Sequence, residues 1–330
     1  MYKKLYYIKN KCINPYFNLA LEEYILLNKK KMSFLILWQN DNTVVIGNNQ
    51  NAYEEINVDF TAKNGIKTVR RKTGGGAVFH DMGNLNFSFI TDMNETEGFT
   101  INDFTRPVIE ALYDMGINAE ADGRNDITID GRKISGNAQR IYKNRILHHG
   151  TLLFKSDIEK ISSVLNVRKE KFESKSTKSV SSRVGNISDY LGNMTLEDFW
   201  HRLEESIFKN VPSERYELTD EDIKTVNLLE REYASPEWTF KTVQPMDIKT
   251  SAKFDGGIID VHLKVENERI ADCAVFGDFM SVKDISDFEN MLKGVVFSPE
   301  EIKKAVSEIP LNEYIGTITA DEFVECIFRS

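Results

Sequence analysis

Three consecutive glycines, residues 74–76, constrain this chain more than any other feature of its sequence. They follow three cations at residues 70–72 and precede an apolar segment that ends in His80-Asp81. Consecutive glycines give access to positive φ and let backbone N–H groups approach a ligand without an intervening Cβ. N–H groups turned into one concavity bind anions, and neighbouring Arg and Lys side chains add fixed positive charge. The glycines alone favour a tight turn between strands, whereas the cations and His80-Asp81 favour a phosphate or carboxylate site.

The length and composition indicate a folded protein with a large core. A chain of 330 residues exceeds the usual size of one domain, and we predict two domains, residues 1–245 and 246–330. Hydrophobic content of 41% and charged content of 28% are typical of soluble proteins. No apolar run reaches transmembrane length, no signal-peptide pattern opens the chain, and three scattered cysteines suit a reducing cytoplasm. The net charge of −9 argues against general nucleic-acid binding, so we expect neither nucleic-acid nor membrane partners.

The first 155 residues show mainly strand patterns with about three helices, which predicts an α+β fold. Asn18 is placed to cap a helix whose apolar residues recur at helical spacing. Residues 85–89 alternate between apolar and polar side chains, as in a half-buried strand. Asp130-Gly131 joins two alternating runs and is the dipeptide that type I′ hairpin turns prefer.

The chain changes character after this region. Residues 168–183 are rich in Ser and Lys and poor in apolar side chains, which predicts either a solvated surface loop or a lid over a site. Residues 235–250 contain two prolines and are the predicted linker. Ser298, with Pro299 at the first helical position and Glu301 at the third, predicts a helix start.

Lys133 is the first candidate for chemistry, because it lies on the return strand of the Asp130-Gly131 hairpin. Residues 125–126, 135–136 and 149–151 could converge with the glycine loop on one face of a sheet. A lysine in that place would neutralise negative charge that develops in a transition state.

Other candidates stay open at the level of single residues. Asp126 could hold a magnesium ion together with phosphates, or accept local backbone hydrogen bonds only. His148 and His149 are adjacent on a strand and point to opposite faces, so at most one of them reaches a given site. The chain has no P-loop, Rossmann pattern or Gly-x-Ser-x-Gly elbow, and no cysteine near these motifs. These residues indicate an anion-binding α+β enzyme that could handle nucleotide phosphates.

The spaced motifs together resemble those of lipoate–protein ligase A. The resemblance covers nearly the whole chain, although Lys72 and Thr73 stand where serines are common in that family. It implies a large catalytic domain with a mixed β-sheet and flanking helices, followed by a small C-terminal α+β domain. The matching segments are residues 14–23, 41–47, 70–81, 83–84, 123–126, 132–136, 148–153 and 179–184, with the Trp238 region and the Gly256-Gly257 hairpin.

The resemblance also implies a reaction. ATP and lipoate would react with magnesium to give lipoyl-AMP and pyrophosphate. The lipoyl group would then pass to a lysine of a carrier domain, in a 2-oxoacid dehydrogenase complex or in the glycine-cleavage H protein. Lys133 would bridge the lipoate carboxylate and the α-phosphate. Nucleotide binding is implied for Arg71, Gly75, Gly76, Ala77, Val78, Phe79, His80, Asn84 and Lys133, and substrate binding for Arg70, Lys133 and His149.

Three other functions stay open. Biotin–protein ligase has a related catalytic fold, but its basic Gly-Arg-Gly-Arg-type loop is absent here. An octanoyl or lipoyl transferase, or an amidotransferase of related fold, would use a cysteine thioester, and Cys12, Cys273 and Cys326 are far from the motifs. A non-catalytic module that binds carrier domains gives no reason for Lys133, the glycine loop and Asp126 to occur together. Lipoate-dependent release of pyrophosphate from ATP, with and without a carrier domain, separates these functions.

Overall fold

The structure is a computed structural model that describes residues 3–93, 100–122, 125–166, 183–241 and 246–329. Its strands are β1 (Leu5–Lys9), β2 (Ser33–Trp38), β3 (Thr43–Ile46), β4 (Lys67–Arg70), β5 (Val78–His80), β6 (Asn84–Asp92), β7 (Glu120–Asp122), β8 (Asp126–Ile129), β9 (Arg132–Tyr142), β10 (Arg145–Leu153), β11 (Ser213–Arg215), β12 (Ile248–Phe254), β13 (Gly257–Glu266) and β14 (Arg269–Gly277). Its α-helices are α1 (Pro15–Asn28), α2 (Ala52–Glu55), α3 (Val58–Lys63), α4 (Ile101–Asp114), α5 (Ile158–Val164), α6 (Leu196–Phe208), α7 (Asp220–Tyr233), α8 (Pro236–Phe240), α9 (Ile285–Leu292), α10 (Pro299–Ser307), α11 (Leu311–Tyr314) and α12 (Ala320–Phe328). A 3₁₀ turn spans Ile187–Tyr190.

The central element is a mixed sheet that, among the described residues, runs in the order β11-β1-β2-β6-β10-β9-β8-β7. Strand β1 is parallel to β2 and β11, whereas β6, β10 and β9 pair antiparallel. A small sheet in the order β4-β3-β5 leads into and out of the glycine loop. Strands β12, β13 and β14 form the sheet of a C-terminal domain, with its own hydrophobic core. The predicted α+β class is confirmed.

Helices cover both faces of the central sheet. Helices α4 and α6 pack over one face, where Phe104 and Phe199 are fully buried. Helices α1 and α7 pack over the other face, around Phe34 of β2. Strand β6 is therefore buried on both faces, including its polar residues Asn86 and Ser88. The prediction of a half-buried strand was wrong, because helices distant in sequence cover its polar side.

Helix α1 begins earlier than the sequence suggested. Asn14 is its N-cap, and the Asn14 side chain accepts a hydrogen bond from the N–H of Tyr16. Asn18, predicted as the cap, lies one turn inside the helix and is almost completely buried. Its side-chain amide donates to the carbonyl oxygens of Cys12 and Gln39, at 3.0 and 2.8 Å. Asn18 thus fastens the helix to two chain segments instead of starting it.

Several local predictions are confirmed. Asp130 and Gly131 have φ of 51° and 71°, the positive values that a type I′ turn between β8 and β9 requires. Ser298 caps α10 and accepts a hydrogen bond from the N–H of Glu301.

The predicted linker is shorter than residues 235–250, since α8 occupies part of it and β12 begins at Ile248.

Other predictions fall partly or wholly outside the described residues. The proposed lid at residues 168–183 lies outside them except for its last residue, and so do residues 242–245 of the linker. Within the described ranges, the structure contains no helix with the length and apolar character needed to cross a membrane.

The two asparagines of α1 should contribute differently to stability. Asn14→Ala removes an N-cap and should lower the free energy of unfolding by about 1 kcal/mol. Asn18→Ala leaves several buried groups without partners and should lower it by about 3 kcal/mol or more. Urea unfolding followed by circular dichroism measures both changes. An equal or larger loss for Asn14→Ala would contradict this assignment.

Candidate active site

A cleft with an empty volume of about 610 Å³, counting the part open to solvent, lies where the glycine loop faces α1, β9 and β10. Its apolar wall includes Leu19, Trp38, Val45 and Ala138. The predicted site residues that line it are Arg71, Gly75, Gly76, Ala77, Val78, His80, Lys133 and His149. The cleft thus combines an apolar wall with cations and a glycine loop.

Arg71 holds the glycine loop by its carbonyl oxygens. Its Nη2 donates to the carbonyls of Gly74 and Gly76, at 2.7 and 2.8 Å. Its Nε donates to Thr73 Oγ1 at 2.9 Å. Burial lowers the pKa of Arg71 to about 10, which leaves the guanidinium charged at neutral pH. Gly75, in the middle of the loop, has φ of 86°, and a Cβ there would lie 3.1 Å from Arg71 Nη2.

Lys133 lies at the edge of the cleft and is paired with Asp126. The distance from Lys133 Nζ to Asp126 Oδ1 is 2.7 Å, and both side chains are partly exposed. The backbone of Lys133 is fixed by Gly185, whose N–H donates to the Lys133 carbonyl at 2.9 Å. A Cβ at Gly136 would lie 2.9 Å from Lys133 Nζ, so a larger residue there would displace the lysine amine. The hairpin therefore places a cation within reach of a bound ligand.

Arg70 does not line the cleft, and its substrate-binding assignment needs correction. The side chain is fully buried and donates to the backbone carbonyls of five residues: Gly47, Asn48, Gln50, Trp238 and Thr239. Arg71 follows the last residue of β4, and its guanidinium bonds to the glycine loop, whereas Arg70 bonds to the loop after β3 and to α8. Arg70 joins the loop after β3 to α8, and its hydrogen-bond partners among the described residues are backbone carbonyls outside the cleft.

Phe79 and Asn84 also lie outside the cleft. Phe79 packs in a buried cluster with Val44 and Ile46 of the small sheet. Asn84 is fully buried, and its Nδ2 donates to Asn86 Oδ1 at 2.9 Å. Since Asn86 lines the cleft, Asn84 acts on it only through this neighbour.

His80 is a neutral imidazole with a free donor in the cleft wall. Its Nδ1 is 3.1 Å from Nδ2 of Asn40, whose amide can only donate there, so the ring proton is on Nε2. His80 Nε2 is buried and has no hydrogen-bond partner among the described residues. Burial, followed by the charges of Arg71 and His149, lowers the pKa of His80 to about 3. An unpartnered buried donor that borders a cleft suits a ligand oxygen.

The other two histidines of the site region confirm the predicted alternation. His148 lies on the far face of β10, stacked on Phe104 with ring centroids 4.9 Å apart. His149 faces the cleft, with Nδ1 3.0 Å from Glu22 Oε1 and Nε2 2.8 Å from Thr73 Oγ1. Both ring nitrogens of His149 are therefore occupied by protein groups.

The cleft also contains polar residues that sequence reasoning missed. Asn86 and Asn137 line it, and Glu22 lies behind His149. Asn125 and Thr151, which the sequence placed near the glycine loop, line it as well. Asn137 Nδ2 donates to the Asn125 carbonyl at 2.9 Å, which ties β9 to the turn before β8. Polar residues at alternate positions of otherwise apolar strands were the available signal. The alternation of residues 85–89 assigned Asn86 to solvent, because the sequence does not show which face a helix covers.

Cations and a glycine loop beside an apolar wall suit an acid with an apolar tail and a co-substrate that carries phosphate. The fold and the cleft define an acid-binding α+β enzyme. The family models of the lipoyl protein ligase A/B catalytic domain and of the bacterial lipoate protein ligase C-terminus match residues 14–208 and 244–327. The first match alone covers more than half of the chain. The chain therefore belongs to the lipoate–protein ligase family and is an enzyme of the ligase type.

Relatives match over nearly the full length. Lipoate-protein ligase LplJ of Bacillus subtilis is 43% identical, covering 98% of this chain and 99% of its own length. Lipoate–protein ligase 1 of Staphylococcus aureus is 38% identical, covering 96% and 97%.

Solved structures show the same fold. LipL1 of P. falciparum in complex with lipoate has a TM-score of 0.78 at 25% identity, covering 92% of this chain and 94% of that one. A bipartite archaeal ligase, described with its E2 lipoyl domain from Thermoplasma acidophilum, has a TM-score of 0.64 at 28% identity, covering 75% and 100%. A lipoate-protein ligase A bound with ATP has a TM-score of 0.61 at 26% identity, covering 74% and 100%.

The lowered pKa of His80 makes stability depend on pH. Below pH 6.5 the unfolded chain binds a proton on this histidine that the folded chain does not bind, so stability falls as the pH falls towards 3. At pH 5 the loss is about 2 kcal/mol, since each pH unit below 6.5 is worth about 1.4 kcal/mol. Urea unfolding of wild type and His80→Gln at pH 7 and pH 5 measures this difference.

His80→Gln should reduce the stability difference between the two pH values by about 2 kcal/mol. The control is His201→Gln, because the His201 side chain is 66% exposed. An unchanged difference in His80→Gln would contradict the assignment of His80 as a buried neutral imidazole.

Proposed function

We propose that this enzyme joins lipoate to the ε-amine of a lysine on a carrier domain, through lipoyl-AMP formed from ATP. The observation that carries the proposal is the cleft itself, where Lys133 and the glycine loop stand beside an apolar wall. The family match supports it, as do the relatives with lipoate and with ATP.

The chemistry follows from the weakness of a free carboxylate as an acyl donor. A carboxylate oxygen of lipoate attacks the α-phosphorus of ATP, and pyrophosphate leaves. The carrier amine then attacks the acyl carbon, and AMP leaves while the amine gives up a proton. Both steps concentrate negative charge between the carboxylate and the α-phosphate. The protein therefore contributes orientation and fixed positive charge.

Lys133 would supply that charge, because its Nζ reaches the edge of the cleft and has only one carboxylate partner in the described residues. Residues 75–78 would hold the nucleotide through their backbone. Arg71 would act through the loop, since its guanidinium donates to loop carbonyls. His80 would donate from Nε2 to a substrate oxygen. The lipoyl tail would lie along the apolar wall formed by Leu19, Trp38, Val45 and Ala138.

Magnesium belongs to the same proposal. Among the described residues, no group of three or more His, Cys, Asp or Glu side chains is arranged to hold a metal. Magnesium with nucleotides needs only one or two carboxylates, because phosphates and water complete its shell. Asp126 fits this requirement, as its Oδ1 has no well-aligned hydrogen bond although it lies beside Lys133. The ion would neutralise phosphate charge, and Asp126 would orient Lys133 whether or not the ion is bound.

The remaining parts of the proposal concern partners and organisation. The carriers would be domains of 2-oxoacid dehydrogenase complexes and the glycine-cleavage H protein, supported by the archaeal ligase described with its E2 lipoyl domain. Unpaired cysteines at positions 12, 273 and 326 support a cytoplasmic location. We place the domain boundary at residues 245–246, close to the start of the C-terminal match at residue 244.

A cysteine-dependent transferase is less well supported. Cys273 and Cys326 are buried in the C-terminal domain, and burial raises the pKa of both thiols. Cys12 does not line the cleft. The test is lipoate-dependent release of pyrophosphate from ATP without a carrier, followed by AMP release and carrier modification when a carrier is added. Transfer from a lipoylated donor in the absence of ATP would favour the transferase.

Lys133→Ala should slow adenylation about 10²- to 10³-fold, because a preorganised charge is lost where negative charge develops. The matched control is Lys264→Ala, which removes a strand lysine whose Nζ is 2.7 Å from Glu266 Oε1, outside the cleft. Pyrophosphate release at saturating ATP and lipoate measures both variants. Near-normal turnover of Lys133→Ala would overturn its assignment.

Gly75→Ala should weaken ATP binding. The loss of affinity should be larger than the loss that backbone strain alone would cause. The matched control is Gly65→Ala, since Gly65 also has positive φ, but a Cβ added there would meet no atom of a non-neighbouring residue within 4 Å. Both changes place a Cβ in the left-handed region, which costs about 1–2 kcal/mol of stability. Calorimetric titration with ATP compares them. Equal affinity in the two variants would show that the loop is only a turn.

A further inference from the structure

A continuous chain of buried hydrogen bonds joins the apolar wall of the cleft to the glycine loop. Trp38 Nε1 donates to Ser88 Oγ at 2.8 Å, and Ser88 Oγ donates to Glu22 Oε1. His149 Nδ1 lies 3.0 Å from Glu22 Oε1 and 3.1 Å from Oε2. The carboxylate of Glu22, on α1, therefore connects strand β6, through Ser88, to strand β10, through His149.

The chain continues from His149 to the loop. His149 Nε2 lies 2.8 Å from Thr73 Oγ1, and the same oxygen accepts from Arg71 Nε at 2.9 Å. Arg71 in turn donates to the carbonyls of Gly74 and Gly76. One hydroxyl, that of Thr73, therefore joins the histidine to the arginine that holds the loop.

The donor and acceptor capacities of these groups fix the direction of most of the bonds in the chain. Indole and guanidinium groups only donate, and a carboxylate only accepts. Ser88 therefore accepts from Trp38 and donates to Glu22, and His149 carries its proton on Nδ1. Thr73 Oγ1 accepts from Arg71 Nε and lies within hydrogen-bond distance of His149 Nε2, to which it donates when Nε2 carries no proton. With a proton on Nδ1 of His149, every group in the chain has a hydrogen-bond partner.

These residues are also shielded from solvent. Glu22, Thr73 and Ser88 are at most 2% exposed, and His149 is 8% exposed. Burying a carboxylate is costly unless it is hydrogen-bonded, so Glu22 depends on Ser88 and His149 for its place. His149 has no ring nitrogen left for a ligand, in contrast to His80.

We propose that Glu22 and Thr73 are positioning residues that act through His149 and Arg71 to hold the glycine loop in its nucleotide-binding conformation. What the loop binds rests on the function proposed above, whereas how it is held rests on the hydrogen bonds alone. In this arrangement His149 positions the loop and does not contact substrate. Thr73 holds the loop through its hydroxyl group, and serine would supply the same group.

The decisive pair of variants is Thr73→Val and Thr73→Ser. Valine has the shape of threonine but can neither accept from Arg71 nor donate to His149, whereas serine can do both. Glu22→Gln tests the other end, because an amide can present a donor to Nδ1 where the carboxylate can only accept. The matched control is Thr105→Val, which removes a buried hydroxyl in α4 that donates only to backbone carbonyls of its own helix.

The first measurement is amide hydrogen exchange of residues 73–78 in the ligand-free protein. Exchange in the loop should be about tenfold faster in Thr73→Val and Glu22→Gln, the effect expected for loss of one hydrogen bond to a charged group. Thr73→Ser and Thr105→Val should match wild type in the loop. Loop exchange in Thr73→Val equal to that of wild type would overturn the proposal, and Thr73→Val decides the question even if Glu22→Gln fails to fold.

The second measurement is the KM for ATP and for lipoate in pyrophosphate release. Thr73→Val should raise the KM for ATP and lower turnover by about 10- to 100-fold overall, since small misplacements of a binding group have effects of this size. Serine should restore both values. If wild type releases no lipoate-dependent pyrophosphate, the proposed function is wrong, and the exchange data still decide whether the chain of hydrogen bonds holds the loop.

Discussion

Two adjacent buried arginines, solvated by backbone carbonyls, are the interaction on which the site depends. Burial lowers the pKa of Arg70 and of Arg71 to about 10, so both keep their charge at neutral pH. Taking a cation out of water is costly unless charge-assisted hydrogen bonds replace its hydration. Arg70 finds them in the loop after β3 and in α8, and Arg71 finds them in the glycine loop. The backbone of the loop after β3, of α8 and of the glycine loop is therefore held in place, because its carbonyls solvate a buried guanidinium.

The same two charges set the electrostatics of their surroundings. Arg71 contributes to the lowered pKa of His80, after burial, and so helps to keep that imidazole neutral. Burial and then Arg70 lower the pKa of Lys241 to about 8. An acidic protein with net charge −9 thus contains a local region that opposes further positive charge and attracts anions. A phosphate or carboxylate ligand would relieve this repulsion, which is consistent with the proposed substrates.

Sequence reasoning identified those features whose cause is local. The turn at Asp130-Gly131 and the helix start at Ser298 follow from backbone preferences within a few residues. Arg70 and Arg71 were both predicted to bind ligands, because the structural role of Arg70 depends on α8, which lies more than 160 residues away. The buried polar residues of β6 were missed for the same reason, since α1 covers the face that alternation assigned to solvent. The sequence motifs predicted most of the residues that line the cleft, but they did not predict the hydrogen bonds that hold those residues in place.

The C-terminal domain adds a constraint on the loop from the opposite side. Gly74 does not have positive φ, yet a Cβ there would lie 2.7 Å from the carbonyl oxygen of Phe279, so close approach of the domain requires glycine. The contact is supported nearby, where Gly277 N–H donates to the Asn49 carbonyl at 2.9 Å. The loop is thus held between Arg71 on one side and the C-terminal domain on the other. A change in either contact alters the space available to the loop, so the position of the domain and the conformation of the glycine loop are physically coupled.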